Sequence, residues 1–327
     1  MLRTDDFDFE LPEDLVASRP LEQRDASRMM VVDRARGTVE HRMFREFPSS
    51  VGPQDLVIFN NVRVAKARFF SDDGRIELLR LQCVTPRHWQ CMVRPGRKMR
   101  VGQNTQVGGA TGMVTAVLET GIRCIEWDRE VDESLHGHLA LPHYMKRDGD
   151  DDDTERYQTV YARRDRSDAV AAPTAGLHFT PEMVQGLPHA FITLHVGPGT
   201  FQPVKAEFIA DHLMHSEHYA ISEEAAAKIE AAPRRIAIGT TVTRVLEHCA
   251  RTHGQVTPHE GETNIFIHPG GAFHRVDALL TNFHLPKSTL FMLVCALGGT
   301  ELLRRAYAEA VERRYRFYSY GDCMLII

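Results

Sequence analysis

Apolar and polar positions follow two different periods along this chain. Between about residues 75 and 131 apolar residues alternate with polar ones, as in GRIELLRLQCV and GMVTAVLETGIRCIEW. Turn signals such as Pro95-Gly96 and Gly108-Gly109 separate these runs. Short alternating runs at this spacing are typical of strands in a small barrel or sandwich. The pattern predicts an all-β unit in the middle of the chain.

The remainder of the chain alternates predicted strands with predicted helices. The segment RRIAIGTTVTRVLEHCARTHG predicts a strand to Ile238, a turn at Gly239 and then a helix. That helix carries four apolar residues on one face: Val242, Val245, Leu246 and Cys249. The segments STLFMLVCALGG and TELLRRAYAEAVERRYRF predict two further helices separated at Gly298-Gly299, before a final strand in FYSYGDCMLII.

A βα pattern interrupted by one all-β block predicts an α/β (α+β) main domain with an inserted small antiparallel β-barrel domain. We expect residues 1–66 and 146–327 to form the discontinuous main domain and residues 67–145 the insert. The length of 327 residues fits two domains at the usual ~150 residues each. The acidic run DGDDDD (148–153) lies at the second junction and is predicted to be a solvated linker.

Composition narrows the class of protein. The hydrophobic fraction is 43% and the charged fraction 25%, as in ordinary soluble proteins. No apolar run approaches the ~18 residues of a membrane helix, the N-terminus is acidic, and six cysteines are scattered without C-x-x-C spacing. We therefore expect a cytoplasmic protein with reduced thiols and no membrane contact. A net charge of −5 argues against a nucleic-acid coat protein but leaves room for a local basic face.

Familiar catalytic motifs are missing from the sequence. It contains no G-x-x-x-x-G-K-[ST] loop, no G-x-G-x-x-G after a strand, no G-x-S-x-G and no H-E-x-x-H. These absences make a P-loop ATPase, a nicotinamide dehydrogenase and a Rossmann-type methyltransferase less favoured.

Histidines stand out in the polar segments of the C-terminal two-thirds. His178 ends the small, uncharged stretch VAAPTAGLHFT, His195 lies in TLHVGPGTF, and His284 lies in NFHLPKSTL. Three histidines on different loops predict a shared pocket, although each could instead be packed and hydrogen-bonded. In DHLMHSEHY, His212 and His215 on one helix face could bind a metal with Asp211 or Glu217. The spacing matches no standard zinc pattern, so a solvated surface is the favoured interpretation.

Two predicted helix starts offer anion sites. Thr240 or Thr241 follows Gly239, and Ser288 follows Lys287, so free N–H groups could hold a carboxylate or phosphate. Simple helix capping is the alternative. Basic residues cluster in RPGRKMR, YARRDR and ERRYRFYSY. Arginines interleaved with aromatic rings suit RNA, while a charged helix that leads into a buried strand would look similar.

Taken together, these segments resemble one family. FDFELPEDLVASRPLEQRDASRMMVVDR, DLVIFNNVRVAKARFF, ERYQTVYA, VAAPTAGLHFT, TLHVGPGTFQPV, DHLMHSEHY, IGTTVTRVLE, VDALLTNFHLPKSTLFMLV and YRFYSYGDCMLI occur in order over nearly the whole chain. They are similar to the S-adenosylmethionine:tRNA ribosyltransferase-isomerases of queuosine biosynthesis.

The resemblance implies a reaction. S-adenosylmethionine would give its ribosyl unit to 7-aminomethyl-7-deazaguanine at the wobble position of tRNA. Rearrangement would give epoxyqueuosine, with release of adenine and methionine. It also implies an α/β domain carrying a β-barrel, a monomer, and no metal or cofactor beyond S-adenosylmethionine as co-substrate. A base would take a proton from the methylene group next to the sulfonium, work that suits His or Glu.

Site residues follow from the motifs and the resemblance. We expect catalysis from His178, His195 and Glu217. Substrate binding is expected from Thr174, Gly176, Gly239, Thr240, Thr241, Lys287 and Ser288. RNA contacts are expected from Asn60, Arg63, Arg94, Arg97, Lys98 and Arg316.

The sequence departs from the family pattern at Asn61, Val62, His143 and Pro198. Such departures could mark a divergent member with another RNA or a small-molecule acceptor. A non-catalytic RNA-binding protein is the third hypothesis, and the retained histidine, GTT and PKST segments argue against it.

Overall fold

The computed structural model describes residues 2–163, 165, 169–197, 204 and 206–327. In chain order the strands are β1 Arg28–Asp33, β2 Thr38–Met43, β3 Asp55–Asn60, β4 Arg68–Phe70, β5 Glu77–Thr85, β6 His88–Arg94, β7 Asn104–Val107, β8 Ala110–Val117, β9 Arg123–Trp127, β10 His189–Leu194, β11 Glu217–Ile221, β12 Arg234–Ile238, β13 His259–Thr263, β14 Ala278–Asn282 and β15 Cys323–Ile326. The α-helices are α1 Glu133–His136, α2 Asp151–Arg156, α3 Pro181–Gln185, α4 Glu223–Ala231, α5 Thr240–His253, α6 Thr289–Gly298 and α7 Thr300–Glu312.

The larger sheet contains nine strands in the order β13-β11-β10-β3-β12-β14-β15-β1-β2. Its centre is parallel from β10 through β3 and β12 to β14, and β15 then runs antiparallel to β14. Strands buried on both faces need continuous apolar runs, which explains LVIF in β3 and CMLI in β15. Met30 and Val32 pack on the face covered by α4 to α7, whereas Met29 and Val31 pack on the face covered by α3 and Phe44–Ser50.

The second sheet is a nearly closed antiparallel barrel of six strands in the order β4-β5-β6-β9-β8-β7. Alternating residues of its strands point inward and form one core around Trp89 and Trp127. The two edge strands approach at Asp72, whose N–H donates to the Gln106 carbonyl (2.8 Å) and whose carboxylate accepts from Gly108 N (2.7 Å). The predicted α/β fold with a small antiparallel barrel is therefore confirmed, while the domain boundaries at 66 and 145 stay predictions.

The predicted helices after Gly239, Ser288 and Gly299 are confirmed as α5, α6 and α7. The prediction that the acidic run forms a solvated linker is wrong. Residues 151–156 form α2, because Asp150 caps the helix and carboxylates are favoured in a first turn. Asp153 is fully buried, where it binds Arg147 Nη2 (2.8 Å) and accepts a hydrogen bond from Tyr320 Oη (2.7 Å). Among the described helices, none has the length and apolar character needed to cross a bilayer.

Candidate active site

A cleft opens at the carboxyl ends of the parallel strands β12 and β14. Four segments form its walls: 171–175, 239–241, 281–284 and 318–319, joined by Val196 and Leu290. Ligands of open α/β sheets bind outside the carboxyl ends of the strands. This cleft, hereafter the uncharged cleft, is therefore the leading candidate for the active site.

The described lining of the uncharged cleft contains no carboxylate, ammonium or guanidinium group. Threonine hydroxyls, the Asn282 amide and the half-buried Tyr318 supply its polar and aromatic character. Such a lining does not repel a cationic ligand, and aromatic faces attract one. A ligand with a localised positive charge and an apolar body fits these walls.

The N-terminus of α5 provides a positive partial charge at the cleft. Gly239 lies between β12 and α5 at φ 92°, a conformation that favours glycine. The first helical bond runs from Thr243 N to the Gly239 carbonyl (3.3 Å), so the preceding N–H groups stay available. Thr241 Oγ1 is buried and bonds to no described residue. Together these groups can receive a carboxylate.

His284 directly follows β14 and lines the cleft. Its Nε2 is hydrogen-bonded to Thr281 Oγ1 (2.8 Å) and its backbone N–H to Tyr307 Oη (3.1 Å). Within the described part of the chain, Nδ1 has no hydrogen-bond partner. Burial lowers the pKa of His284 to about 3, so the ring is neutral at physiological pH. His284 therefore presents a neutral ring nitrogen at the cleft.

His178, a predicted catalytic residue, ends the 3-10 helix Thr174–His178 and does not line the cleft. Its Nδ1 lies 2.8 Å from Ser27 Oγ and its Nε2 lies 3.2 Å from Asn282 Oδ1. The Asn282 amide N–H groups donate to the carbonyls of Tyr318 (2.9 Å) and Ser319 (3.2 Å), so its oxygen accepts from His178. Tyr318 is held at φ 76°, in the left-handed region. His178 thus supports a cleft wall through Asn282.

We expect the free energy of unfolding to fall as the pH drops below about 6.5, the usual pKa of an unfolded histidine. Burial lowers the pKa of His178 to about 4 and that of His284 to about 3, so the folded chain binds fewer protons between these values and 6.5. Each histidine therefore removes up to ~1.4 kcal/mol of stability per pH unit. Urea unfolding from about pH 7 to about pH 5 measures this slope. A His284→Gln variant should show a shallower slope, and an unchanged slope would contradict the burial argument.

The other predicted catalytic residues lie near the cleft without lining it. His195 is half-buried beside Val196, with its ring 5.7 Å from that of His218. Glu217 is buried on β11, forms an ion pair with Arg244 of α5, and accepts a hydrogen bond from Gly197 N (2.8 Å). Its carboxylate is thus engaged in a buried structural contact.

Of the predicted substrate-binding residues, the structure brings four to the cleft: Thr174, Gly239, Thr240 and Thr241. Gly176 instead packs against Tyr161, whose Oη would lie 2.0 Å from an added Cβ. Lys287 pairs with Asp5 (2.9 Å) and Asp8 (3.0 Å). Ser288 caps α6 by accepting from Phe291 N (3.1 Å), which is the capping alternative.

The predicted RNA contacts lie on different surfaces. Arg94, Arg97 and Lys98 are exposed at the end of β6, and Arg63 and Arg316 are half-buried. Asn60 is fully buried, and its amide bonds the Leu194 carbonyl (3.0 Å). Asn60 is therefore unable to reach RNA in this conformation.

The segment with the possible metal ligands is not helical. Residues 212–216 form a loop before β11, so His212 and His215 share no helix face, which corrects that expectation. Within the described residues, no group of three or more His, Cys, Asp or Glu side chains is arranged to hold a metal ion.

Of the family departures, Asn61 and Val62 are buried, and Asn61 Oδ1 accepts from Thr193 Oγ1 (2.8 Å). His143 lies in the 3-10 helix His143–Met145. Pro198 lies outside the described residues, as do Arg164 and Arg166 of the YARRDR segment.

Five polar lining residues were absent from the predicted catalytic and binding residues: Thr281, Asn282, His284, Tyr318 and Ser319. Of the three histidines predicted to share a pocket, His284 alone lines this cleft. The sequence contains a signal for Thr281, Asn282 and His284. In DALLTNFH an apolar strand turns polar at its carboxyl end, as RRIAIGTT does at Gly239. Polar residues after neighbouring parallel strands converge at one sheet edge.

The chain is similar to known proteins of one family. The family described as "Queuosine biosynthesis protein" matches residues 4–326. An S-adenosylmethionine:tRNA ribosyltransferase-isomerase from Geobacter metallireducens is 47% identical over 99% of this chain and 100% of its own. One from Symbiobacterium thermophilum is 48% identical over the full length of both. The crystal structure of S-adenosylmethionine tRNA ribosyltransferase from Thermotoga maritima is 35% identical with a TM-score of 0.57, covering 98% of this chain and 100% of that chain.

Proposed function

This chain belongs to the family of queuosine biosynthesis proteins, and we propose that it is an S-adenosylmethionine:tRNA ribosyltransferase-isomerase. It transfers the ribosyl unit of S-adenosylmethionine to 7-aminomethyl-7-deazaguanine at the tRNA wobble position and isomerises it to give epoxyqueuosine. Adenine and methionine are released. The observation that carries this proposal is similarity at 47–48% identity over nearly the whole chain to relatives of that name.

The donor is proposed to bind in the uncharged cleft. Its methionine carboxylate would lie at the start of α5, where N–H groups and Thr241 Oγ1 are available. Its sulfonium would then face neutral side chains and the aromatic residue Tyr318, which accept a cation without neutralising it. The small residues Ala171, Ala172 and Ala175 allow the nucleoside to approach the backbone closely.

His284 is proposed as the base in place of His178 and His195. Nδ1 would take a proton from the 5′-methylene of the donor, leaving the electron pair on that carbon beside the sulfur. Adenine is then expelled, the acceptor amine attacks, and closure of the epoxide releases methionine. His178 acts as a positioning residue, because it holds Asn282 and through it the Tyr318–Ser319 wall.

Further features of the proposal concern partners and location. The acceptor is tRNA carrying 7-aminomethyl-7-deazaguanine, and S-adenosylmethionine is a co-substrate with no additional cofactor. The enzyme is proposed to work as a cytoplasmic monomer. Residues 67–145 are proposed as the inserted domain, whose exposed Arg94, Arg97 and Lys98 suit contact with RNA phosphates.

The deciding experiment measures release of adenine and methionine from S-adenosylmethionine by the purified protein. Release should require tRNA carrying the aminomethyl-deazaguanine, and tRNA with unmodified guanine serves as the control. Release without RNA would favour a small-molecule acceptor. No release from folded protein would favour a non-catalytic RNA-binding protein.

Thr241→Ala should raise the KM for S-adenosylmethionine about tenfold with a smaller change in kcat. A hydrogen bond to a charged group contributes ~1.5–3 kcal/mol, and ~1.4 kcal/mol corresponds to a factor of ten. Steady-state adenine release over a range of donor concentrations measures both constants. Thr241→Ser keeps the hydroxyl and should retain most of the affinity. An unchanged KM in the alanine variant would show that the donor carboxylate does not bind at this helix start.

A further inference from the structure

A second, smaller cleft lies beside the uncharged cleft and is lined by arginines. It lies between residues 20–27, Leu177-His178 and residues 319–321, with Arg24 and Arg156 in its walls. Arg316 is close enough for its charge to lower the pKa of His178, after burial as the main cause. We call this the arginine cleft.

The arginines of this cleft form no direct ion pair among the described residues, although the carboxylates of Glu155, Asp152 and Asp322 lie close enough to act on them through their charge. Within the described residues, Arg24, Arg156 and Arg316 form no ion pair with a carboxylate. Burial lowers the pKa of Arg24, and the charge of Arg156 lowers it further, which indicates two like charges close together. A small concave surface lined by two such guanidinium groups, with Arg316 close behind it, attracts an anion.

Backbone carbonyls hold these side chains in place without cancelling their charge. Arg24 donates to the carbonyls of Gln158 (3.0 Å) and Glu155 (3.0 Å), and Arg156 donates to the carbonyl of Glu22 (3.2 Å). Arg316 Nη2 donates to the Arg19 carbonyl, while its buried Nη1 has no partner among the described residues. A guanidinium fixed in this way loses little freedom when it binds a phosphate.

The two clefts adjoin each other at the hydrogen bond between His178 and Asn282. His178 lines the arginine cleft and bonds Asn282, which lines the uncharged cleft, and Ser319 contributes to both. A group bound in one cleft therefore lies next to a group bound in the other. This arrangement suits a polyanion that places one of its units in the uncharged cleft and an adjacent backbone group in the arginine cleft.

We propose that the arginine cleft binds a backbone phosphate of the tRNA, adjacent to the nucleotide that reacts in the uncharged cleft. This inference rests on the proposed function, because it takes the acceptor to be RNA. The donor carboxylate is the other anion of the reaction, and it already has a separate place at the start of α5. Guanidinium groups match the paired oxygens of a phosphodiester.

The test uses Arg316→Gln and Arg156→Gln in the full-length protein and measures the Kd for unmodified tRNA at several salt concentrations. Each variant should weaken binding severalfold at low salt. The slope of log affinity against log salt should become shallower by ~0.7–0.9, the value for one lost phosphate contact. Arg316→Lys keeps the charge and should keep the slope. Arg36→Gln, at an exposed arginine in the turn between β1 and β2, is the matched control and should leave binding unchanged.

Unchanged slopes in both glutamine variants, with melting temperatures like that of the unaltered protein, would overturn the proposal. So would weaker binding of S-adenosylmethionine with unchanged tRNA slopes, because the anion would then be the donor carboxylate. Two variants keep the test decisive if one fails to fold. Unmodified tRNA suffices for this measurement, so failed adenine release with altered slopes would refute the proposed reaction and leave the phosphate site standing.

Discussion

His284→Gln should slow adenine release about 10²–10⁴-fold while donor and tRNA still bind, the usual loss when a positioned proton acceptor is removed. Glutamine places its amide near the position of Nε2, so the hydrogen bond to Thr281 is retained. The variant removes Nδ1, the nitrogen of this lining residue that has no partner among the described residues and that we propose as the base. Single-turnover release of adenine at saturating donor and tRNA measures the effect.

The low pKa of His284 is compatible with this role because the proton transfer moves a charge instead of creating one. Before the transfer the sulfonium is positive and the imidazole neutral, and afterwards the imidazolium is positive and the ylide neutral overall. The uncharged cleft therefore holds one positive charge throughout. The desolvation that lowers the pKa of His284 in the unliganded protein opposes a net gain of charge, which does not occur here.

A pH profile separates His284 from a base with an ordinary histidine pKa. A base with a pKa near 3 is already deprotonated above about pH 4, so the rate should not fall between about pH 7.5 and pH 6. A base with an ordinary histidine pKa of ~6.5 would lose close to tenfold per pH unit below that value. His274→Asn, at an exposed histidine, controls for removal of a ring. Normal turnover in His284→Gln, with a rate that falls below pH 6.5, would assign the base elsewhere.

Much of the fold could be predicted from the sequence because the spacing of apolar residues indicates which faces of strands and helices are buried. In RRIAIGTTVTRVLEHC the apolar end of a strand, IAI, gives way at Gly239 to apolar residues spaced three and four apart, and β12 ends and α5 begins accordingly. The alternation around Trp89 and Trp127 predicted the barrel for the same reason. The acidic run failed because Asp153 is buried by long-range partners, Arg147 and Tyr320, that composition does not reveal.

The site was harder to predict than the fold. Thr174 and Thr241 were found because small or capping residues at predicted turns mark places where a ligand approaches the backbone. His178 and Glu217 were nominated by residue type, but type does not tell whether a polar group faces a ligand or a protein partner. The partners Ser27, Asn282 and Arg244 lie 151, 104 and 27 residues away in the chain. Only the folded chain brings them together.

Glu217→Gln should lower the free energy of unfolding by about 3–5 kcal/mol, the usual result of removing one partner of a buried ion pair. The side chain of Glu217 is 4% exposed and that of Arg244 is 6% exposed, so the change leaves a guanidinium buried without its carboxylate. Arg244 Nη2 already has no hydrogen bond among the described residues, which leaves little to compensate the loss. Urea unfolding of the two proteins at neutral pH measures the difference.

Two further variants decide whether this effect comes from the ion pair. Glu262→Gln, at an exposed position on the neighbouring strand β13, should change stability by less than about 0.5 kcal/mol. The double variant Glu217→Gln, Arg244→Met removes the stranded charge and should recover part of the lost stability. If Glu217 were instead the catalytic base, the single variant would keep its stability and lose adenine release. The two roles therefore predict opposite pairs of results, and unfolding and turnover measured on the same protein distinguish them.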